Sequence, residues 1–123
     1  MLVIQGELTD LNTYIKALNS SRWSGNSIKQ SETNRVYLEA KRQKIAPIDE
    51  YPVQVKFTWF LKDRKKDIDN VSFSKKFCMD GLVLAGVLEN DSQKFVAGFQ
   101  DIFHIDKENP RVEIEILSTG MIL

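Results

Sequence analysis

Residues 53–61, Val-Gln-Val-Lys-Phe-Thr-Trp-Phe-Leu, carry the clearest strand pattern in the chain. Val53, Val55, Phe57, Trp59 and Leu61 alternate with Gln54, Lys56 and Thr58. An extended chain therefore puts the first set on one face and the second mainly on the other. A strand with one unbroken apolar face needs a second layer to cover it. Pro52 precedes the run, and a charged segment follows it over residues 62–69. Beyond that, residues 70–85 predict a helix that stops at Gly86. Residues 95–105 and 111–117 alternate again, and the connector Asp106-Lys107-Glu108-Asn109-Pro110 suits a hairpin between them. Working back toward the start, Leu2, Ile4 and Leu8 share one side of a short alternating run. Thr9 or Asp10 is placed to cap a helix carrying Leu11, Tyr14, Ile15 and Leu18. Residues 19–26 read as a loop or break, and residues 27–45 have helical spacing through Ile28, Val36, Leu38 and Ala40. The order β-α-α-β-α-β-β predicts an α+β fold. One small domain, residues 1–123, would carry about four strands, mixed or antiparallel, packed with two to three helices. Strand order does not follow from this pattern.

Composition narrows the function classes. The 42% hydrophobic and 28% charged content is that of an ordinary globular domain. No apolar run approaches the roughly 20 residues of a membrane helix, and residues 1–10 have no basic region leading into a long apolar stretch. A cytoplasmic protein is expected. With one cysteine, Cys78, an internal disulfide and a multi-cysteine zinc site are both excluded. The net charge is zero but unevenly spread. Residues 16–44 hold seven basic and two acidic residues, and residues 62–76 hold six basic residues and three aspartates. Residues 77–123 reverse this, with eight acidic and three basic. Such a chain either presents one basic face or simply solvates its helices with lysine.

The helix predicted over residues 70–85 is unusually apolar. Val71, Cys78, Leu82 and Ala85 form one stripe with Gly81 at its edge. Phe73, Phe77 and Leu84 widen that stripe, leaving Lys76 and Asp80 as a narrow polar strip opposite. A helix of this kind is buried on more than one side, either deep in its own core or at a subunit interface.

Asp67-Ile68-Asp69 stands at the mouth of that helix. In an extended segment the two carboxylates would lie on one side, roughly 6–7 Å apart, and would repel by roughly 3 kcal/mol at an effective dielectric near 20. A hard divalent cation offsets that repulsion, and so, less specifically, do Arg64, Lys65 and Lys66. Alternatively, Asp69 or Asn70 simply caps the helix and Asp67 is a solvated loop residue.

The wider run separates these readings. Lys66-Asp67-Ile68-Asp69-Asn70 is followed by Lys75-Lys76-Phe77, Asp80-Gly81-Leu82, Ala85-Gly86-Val87-Leu88 and Asn90-Asp91. It resembles the RusA-like crossover-junction endodeoxyribonucleases of bacteria and their prophages. Their pattern is Asp-x-Asp-Asn, a helix with a lysine and an Asp-Gly/Ala-Leu, then Ala-Gly and a further Asp. Leu11-Asn12-x-Tyr14 and the basic stretch after it look like that family's opening, so the likeness spans roughly residues 1–118. The resemblance implies an enzyme that resolves Holliday junctions by paired symmetric nicks, in recombination or repair, with Mg2+ as cofactor and a homodimer as the working unit. It implies Asp67, Asp69 and Asp91 as metal ligands, and Lys76, four residues before Asp80, as a catalytic lysine that stabilises developing phosphate charge. Lys75 is adjacent and is a candidate for the same role or for DNA contact. One departure stands out: some relatives carry paired acids before the last aspartate, where this chain has Glu89-Asn90-Asp91.

The remaining candidates fall into place around this reading. Arg22, Lys29, Arg35, Lys41, Arg42, Lys65, Lys66 and Lys75 are expected to meet DNA, mostly at phosphates, which fixes position and not sequence. Trp23 is expected to be buried, with stacking or wedging at a branch point as the other reading. His104 is the only histidine and is read as structural, which argues against a histidine base or a Ser-His-Asp triad. Asp101 is expected at a bulge or strand edge, with a fourth metal ligand as the alternative. Cys78 is read as an inert core residue. Gly81 and Gly86 stand alone, so no phosphate loop appears. Two rivals remain: a non-catalytic DNA-binding module, and a flap- or branch-specific nuclease with the same metal chemistry.

Overall fold

The computed structural model describes residues 1–118. Its elements are β1 (Leu2–Gln5), α1 (Leu11–Ser20), α2 (Arg22–Arg42), β2 (Val53–Leu61), α3 (Ile68–Ser72), α4 (Lys75–Leu84), β3 (Val96–Ile105) and β4 (Arg111–Ser118). The strands form one mixed sheet in the order β1-β4-β2-β3, with β2 parallel to β3 and every other pair antiparallel. The α+β architecture expected from the sequence is the one observed.

β2 alternates buried and half-buried residues along its whole length, as its pattern requires. The register places Leu2, Ile4, Val112 and Ile114 on the same face as Val55, Phe57 and Trp59. The helices cover that face. α2 and α4 cross where Gly81 meets Val36, and an added Cβ at Gly81 would lie 2.6 Å from the Val36 side chain. Cys78, Met79 and Leu82 of α4 are buried in the same core. α2 buries Gly25, Glu32, Val36 and Ala40. Two of those four are not hydrophobic, which explains the weak apolar periodicity of the segment; Leu38, counted in the expected apolar set, points to solvent. Glu32 is held by the Thr9 N–H at 2.7 Å and by Arg35. At the outer edge of β1, the Gln43 side-chain amide both donates to and accepts from the Val3 backbone, closing an edge that would otherwise be open.

Four local expectations are corrected. Residues 106–110 do not join a hairpin of paired strands. β2 reaches β3 through a helical crossover, which makes them parallel neighbours; β4 then takes the slot on β2's other side, so the connector arches over the end of β2, where the Asp106 N–H donates to Leu61 O. The helix predicted over residues 70–85 is two helices, with Phe73 and Ser74 between them. The Ser74 hydroxyl donates to Val71 O, a local bond that competes with helix continuation. Residues 19–26 hold a break only at Ser21, whose hydroxyl caps α2 by accepting from the Ser24 N–H. Trp23 is consequently in the first turn of α2 and is 85% exposed instead of buried. Gly25 is the residue that meets Leu18 of α1, and Trp23 lies about 200° away around the helix.

α4 ends as foreseen, with Gly86 at φ +77°. Its apolar surface is largely absorbed by the protein's own core; Leu84 alone among its large apolar residues is strongly exposed. Burial in the core accounts for Phe77, Cys78, Met79 and Leu82. Among the described residues, no helix is long and apolar enough to cross a membrane.

Candidate active site

The acidic segment leaves the end of β2 and turns into α3. Asp67 occupies the residue before α3, with extended backbone at φ −71° and ψ 149°, but its carboxylate accepts no capping bond. Asp69 lies in the first turn, where its Oδ1 accepts from the Asn70 N–H at 2.9 Å. The helix begins at Ile68, so the two acids are not the extended i, i+2 pair that the sequence suggests. They line one cleft together with Phe103 and Ile105 of β3. Asp69 also lines a second cleft of about 480 Å³ together with Lys76 and Asp91. Asp69 is the shared wall of both. All three aspartates are exposed.

Asp91 is presented by a turn anchored on buried Val87 and Leu88. Within it the Ser92 N–H donates to Asn90 Oδ1, and the Glu89 N–H donates to the Tyr51 hydroxyl oxygen. Asn90, the residue that departs from the paired-acid pattern, therefore braces the turn. Lys76 reaches Asp80 Oδ1 at 3.0 Å and lies 3.8 Å from Asp91 Oδ2. The Asp80 carboxylate beside it, and more weakly Asp91, outweigh partial burial and hold Lys76 above the usual lysine range. Lys76 is thus a cation at neutral pH and not a proton acceptor.

Among the described residues, no three acidic, histidine or cysteine side chains converge closely enough to form a ready metal cage. The donors nonetheless suit a hard cation: Asp67 and Asp69 make no ion pair among the described residues, and Asp69 and Asp91 open on one cleft with room for water and phosphate oxygens. Asp101 is already engaged. It sits in regular register on edge strand β3, accepts the Trp59 indole N–H at 2.9 Å and pairs with Lys75. The only register irregularity of β2 and β3 is at Val53/Gln54, so the edge position expected for Asp101 holds and the bulge does not.

Of the basic residues, Arg22, Lys29, Lys41 and Lys65 are exposed and make no ion pair among the described residues. Arg35 binds Glu32 and the Gln5 carbonyl, and Arg42 forks onto Glu39. Lys75 lies over the Phe57 and Phe99 rings and pairs with Asp101, and Lys66 bridges Glu7 and Asp10. Glu7 and Asp10 were not singled out from the sequence as partners of Lys66; they lie 59 and 56 residues before it in the chain, beyond any local pattern. His104 is exposed and stacks on Phe60, and Cys78 is fully buried, with its thiol pushed up by desolvation.

Asp69, Asp91 and Lys76 thus bring oxygen donors and a positive charge to one cleft of a small α+β fold. Residues 12–117 match the family described as Endodeoxyribonuclease RusA. That span covers most of the chain, and the protein belongs to this family of metal-dependent Holliday-junction endonucleases, whose partner is branched DNA. The resemblance carried by residues 66–91 is borne out, and the protein is a hydrolase of the crossover-junction type. No curated protein matches the sequence.

Proposed function

We propose that the chain is a Mg2+-dependent endonuclease that resolves four-way DNA by paired symmetric nicks, with Asp67, Asp69 and Asp91 as cation ligands and Lys76 as the catalytic lysine. The observation that carries this reading is the cleft shared by Asp69, Asp91 and Lys76 in a chain of a DNA-cutting family. Magnesium takes one or two carboxylates and fills its other positions with water and phosphate oxygens. Two acids on one cleft meet that requirement, and Asp67 adds a third from the adjoining space. A bound cation supplies a more acidic water and a polarised phosphate. Lys76 adds a fixed positive charge toward the phosphate, where negative charge builds up during displacement.

Arg22, Lys29, Lys41 and Lys65 are the free cations for duplex phosphates, joined along α2 by Arg35 and Arg42 when these leave their acidic partners. Lys75, though part of the same cleft, acts from within by holding Asp101. Two nicks on strands related by two-fold symmetry need two sites so related, which a two-fold homodimer supplies. Each copy carries one site on a single domain, residues 1–123. A cytoplasmic location and a prophage origin are the settings the family resemblance favours.

Labelled synthetic junctions, flaps and linear duplex, incubated with Mg2+ and then with EDTA, test this directly. Paired nicks on the junction alone are expected, abolished by chelation. Cutting of flaps in preference would favour a branch nuclease, and tight binding with no metal-dependent cutting would favour a binding module. Asp69→Asn is expected to slow cutting by about a hundredfold or more while junction binding, read by gel shift in EDTA, is retained. Equal loss of both would sink the assignment of Asp69 to the chemistry.

A further inference from the structure

The acidic segment is tied to a distant part of the chain at several points. Lys66, the residue before Asp67, places its ammonium 3.2 Å from Glu7 Oε1 and 3.0 Å from Asp10 Oδ2. Glu7 also accepts the Lys62 N–H through its other oxygen at 3.0 Å. Asp10 is itself fixed, since its Oδ1 caps α1 by accepting from the Thr13 N–H at 2.8 Å. At the far end of the segment, Asn70 Oδ1 accepts the Asn12 N–H at 2.9 Å. Residues 62, 66 and 70 are thus each bonded to residues 7–12, and Asp67 and Asp69 lie within the bracket. Lys66 is two-thirds covered, and Asp10 is buried. An ammonium satisfied by two carboxylates and withdrawn from solvent is poorly placed to neutralise a DNA phosphate.

We propose that Lys66, with Glu7 and Asp10, is a positioning residue. It locks the segment carrying Asp67 and Asp69 onto the β1–α1 connection, so that the two carboxylates are presented to the cleft before DNA arrives. This rests on the reading of those aspartates as cation ligands. The alternative for Lys66, direct phosphate contact, makes opposite predictions. A phosphate contact loses binding when the lysine is removed, and binding tightens when a competing acid such as Glu7 is neutralised. A positioning lysine loses turnover in both cases, and binding stays where it was.

The test uses Lys66→Met, Lys66→Arg and Glu7→Gln in the full chain, with thermal melts to show that each folds. Two readouts are compared: single-turnover cutting of a four-way junction at saturating enzyme in Mg2+, and amide hydrogen exchange of residues 62–70 without metal. Lys66→Met and Glu7→Gln are expected to cut about tenfold more slowly, with the junction Kd within about twofold. They should also need several-fold more Mg2+ for half-maximal rate. Amides of residues 62–70 should exchange faster while those of β2 and α4 do not. Lys66→Arg should restore most of the rate. Weaker binding at an unchanged single-turnover rate, or tighter binding in Glu7→Gln with full activity, overturns the proposal. If the unaltered protein fails to cut junctions in Mg2+, the metal-ligand reading fails. The exchange data still decide the clamp: unchanged exchange in residues 62–70 removes it, and faster exchange confined there supports it.

Discussion

Asp67 occupies the position where an aspartate ordinarily caps a helix, yet its carboxylate makes no such bond. Asp10 does the opposite. It caps α1 through Thr13 and holds Lys66 at the same time, one oxygen for each. Burial alone would raise the Asp10 carboxyl, but its bonds to Thr13 and Lys66 outweigh that and keep it below its ordinary value of 3.8. A carboxyl depressed in the folded state stabilises the fold above its unfolded pKa, and that stabilisation is lost as pH falls through the folded value. Asp10→Ala is therefore expected to cost about 1 kcal/mol near neutral pH, measured by urea unfolding. The gap to the unaltered protein should close as the pH is taken below the ordinary carboxyl range. A gap independent of pH would mean that packing, and not charge, is what Asp10 supplies. Lys76 and Lys75 show the same division of labour between neighbours. Their directions differ by one helical step of about 100°, which turns one ammonium to the Asp80 and Asp91 carboxylates and the other to Asp101 beneath it. Lys76→Met is expected to lower the cutting rate by about a hundredfold and leave the melting temperature nearly unchanged, since the Lys76 side chain is more than half exposed. An unaltered rate would remove it from the chemistry.

At the scale of elements, the crossing of α2 and α4 holds the site together. α4 carries Lys76 at one end and leads into the turn bearing Asp91, so any shift of this helix moves both relative to Asp69. The crossing is close because Gly81 has no side chain: a Cβ there would lie 2.6 Å from Val36 and 3.0 Å from the Thr33 carbonyl oxygen. Glycine inside a helix ordinarily gives way to alanine with a gain of up to about 1 kcal/mol. Here the sign is expected to reverse, with Gly81→Ala destabilising by about 1–3 kcal/mol through overpacking. Val36→Ala alone opens a cavity, but the double variant should be more stable than the sum of the two single effects, because the methyl group at 81 fills the space left at 36. Strict additivity in urea melts would show that the helices separate freely and that the close crossing is not a constraint. The break between α3 and α4 belongs to the same scale. An unbroken helix would have carried Asp69 and Lys76 round one cylinder, whereas the turn at Phe73–Ser74 lets α3 lean on α1, with Phe73 stacked on Tyr14 at 5.4 Å between centroids.

For the whole molecule, electrical neutrality conceals an uneven spread: α2 carries five basic residues against two acids, whereas Asp69 and Asp91 share their cleft with Lys75 and Lys76. The free cations Lys29 and Lys41 lie on exposed parts of α2. Replacing both with Gln should weaken binding evenly across DNA sequences and reduce the dependence of log K on log salt by about one unit per lysine. Cutting at saturating DNA should be spared; an unchanged salt slope would mean that DNA lies elsewhere. The proposed two-fold assembly makes its own prediction. Sedimentation should give twice the chain mass at working concentrations, and junction cutting should fall with the square of enzyme concentration once dimers dissociate. First-order dependence throughout, with a monomer by sedimentation, would require the two nicks to come from independent encounters.

Local chemistry made much of this legible in advance. The nine-residue alternation of β2, the glycine that ends α4, the capping role of Asp10 and the spacing of Asp67, Asp69, Lys76 and Asp91 depend on residues within a few positions or on a compact motif. The α+β class, the buried face and the family therefore follow from short-range pattern alone. That pattern could not determine that β4 slides between β1 and β2, that Trp23 faces outward, or that Lys66 and Lys75 are occupied from within. The sheet order and the partners of the two lysines depend on residues dozens of positions away, and Trp23 faces outward because α1 packs against α2 at Gly25; each is settled only when faces of separate elements are buried together. Short-range periodicity records which side of an element is apolar, but the groups that meet it, and the charges neutralised as a result, are decided by packing in three dimensions.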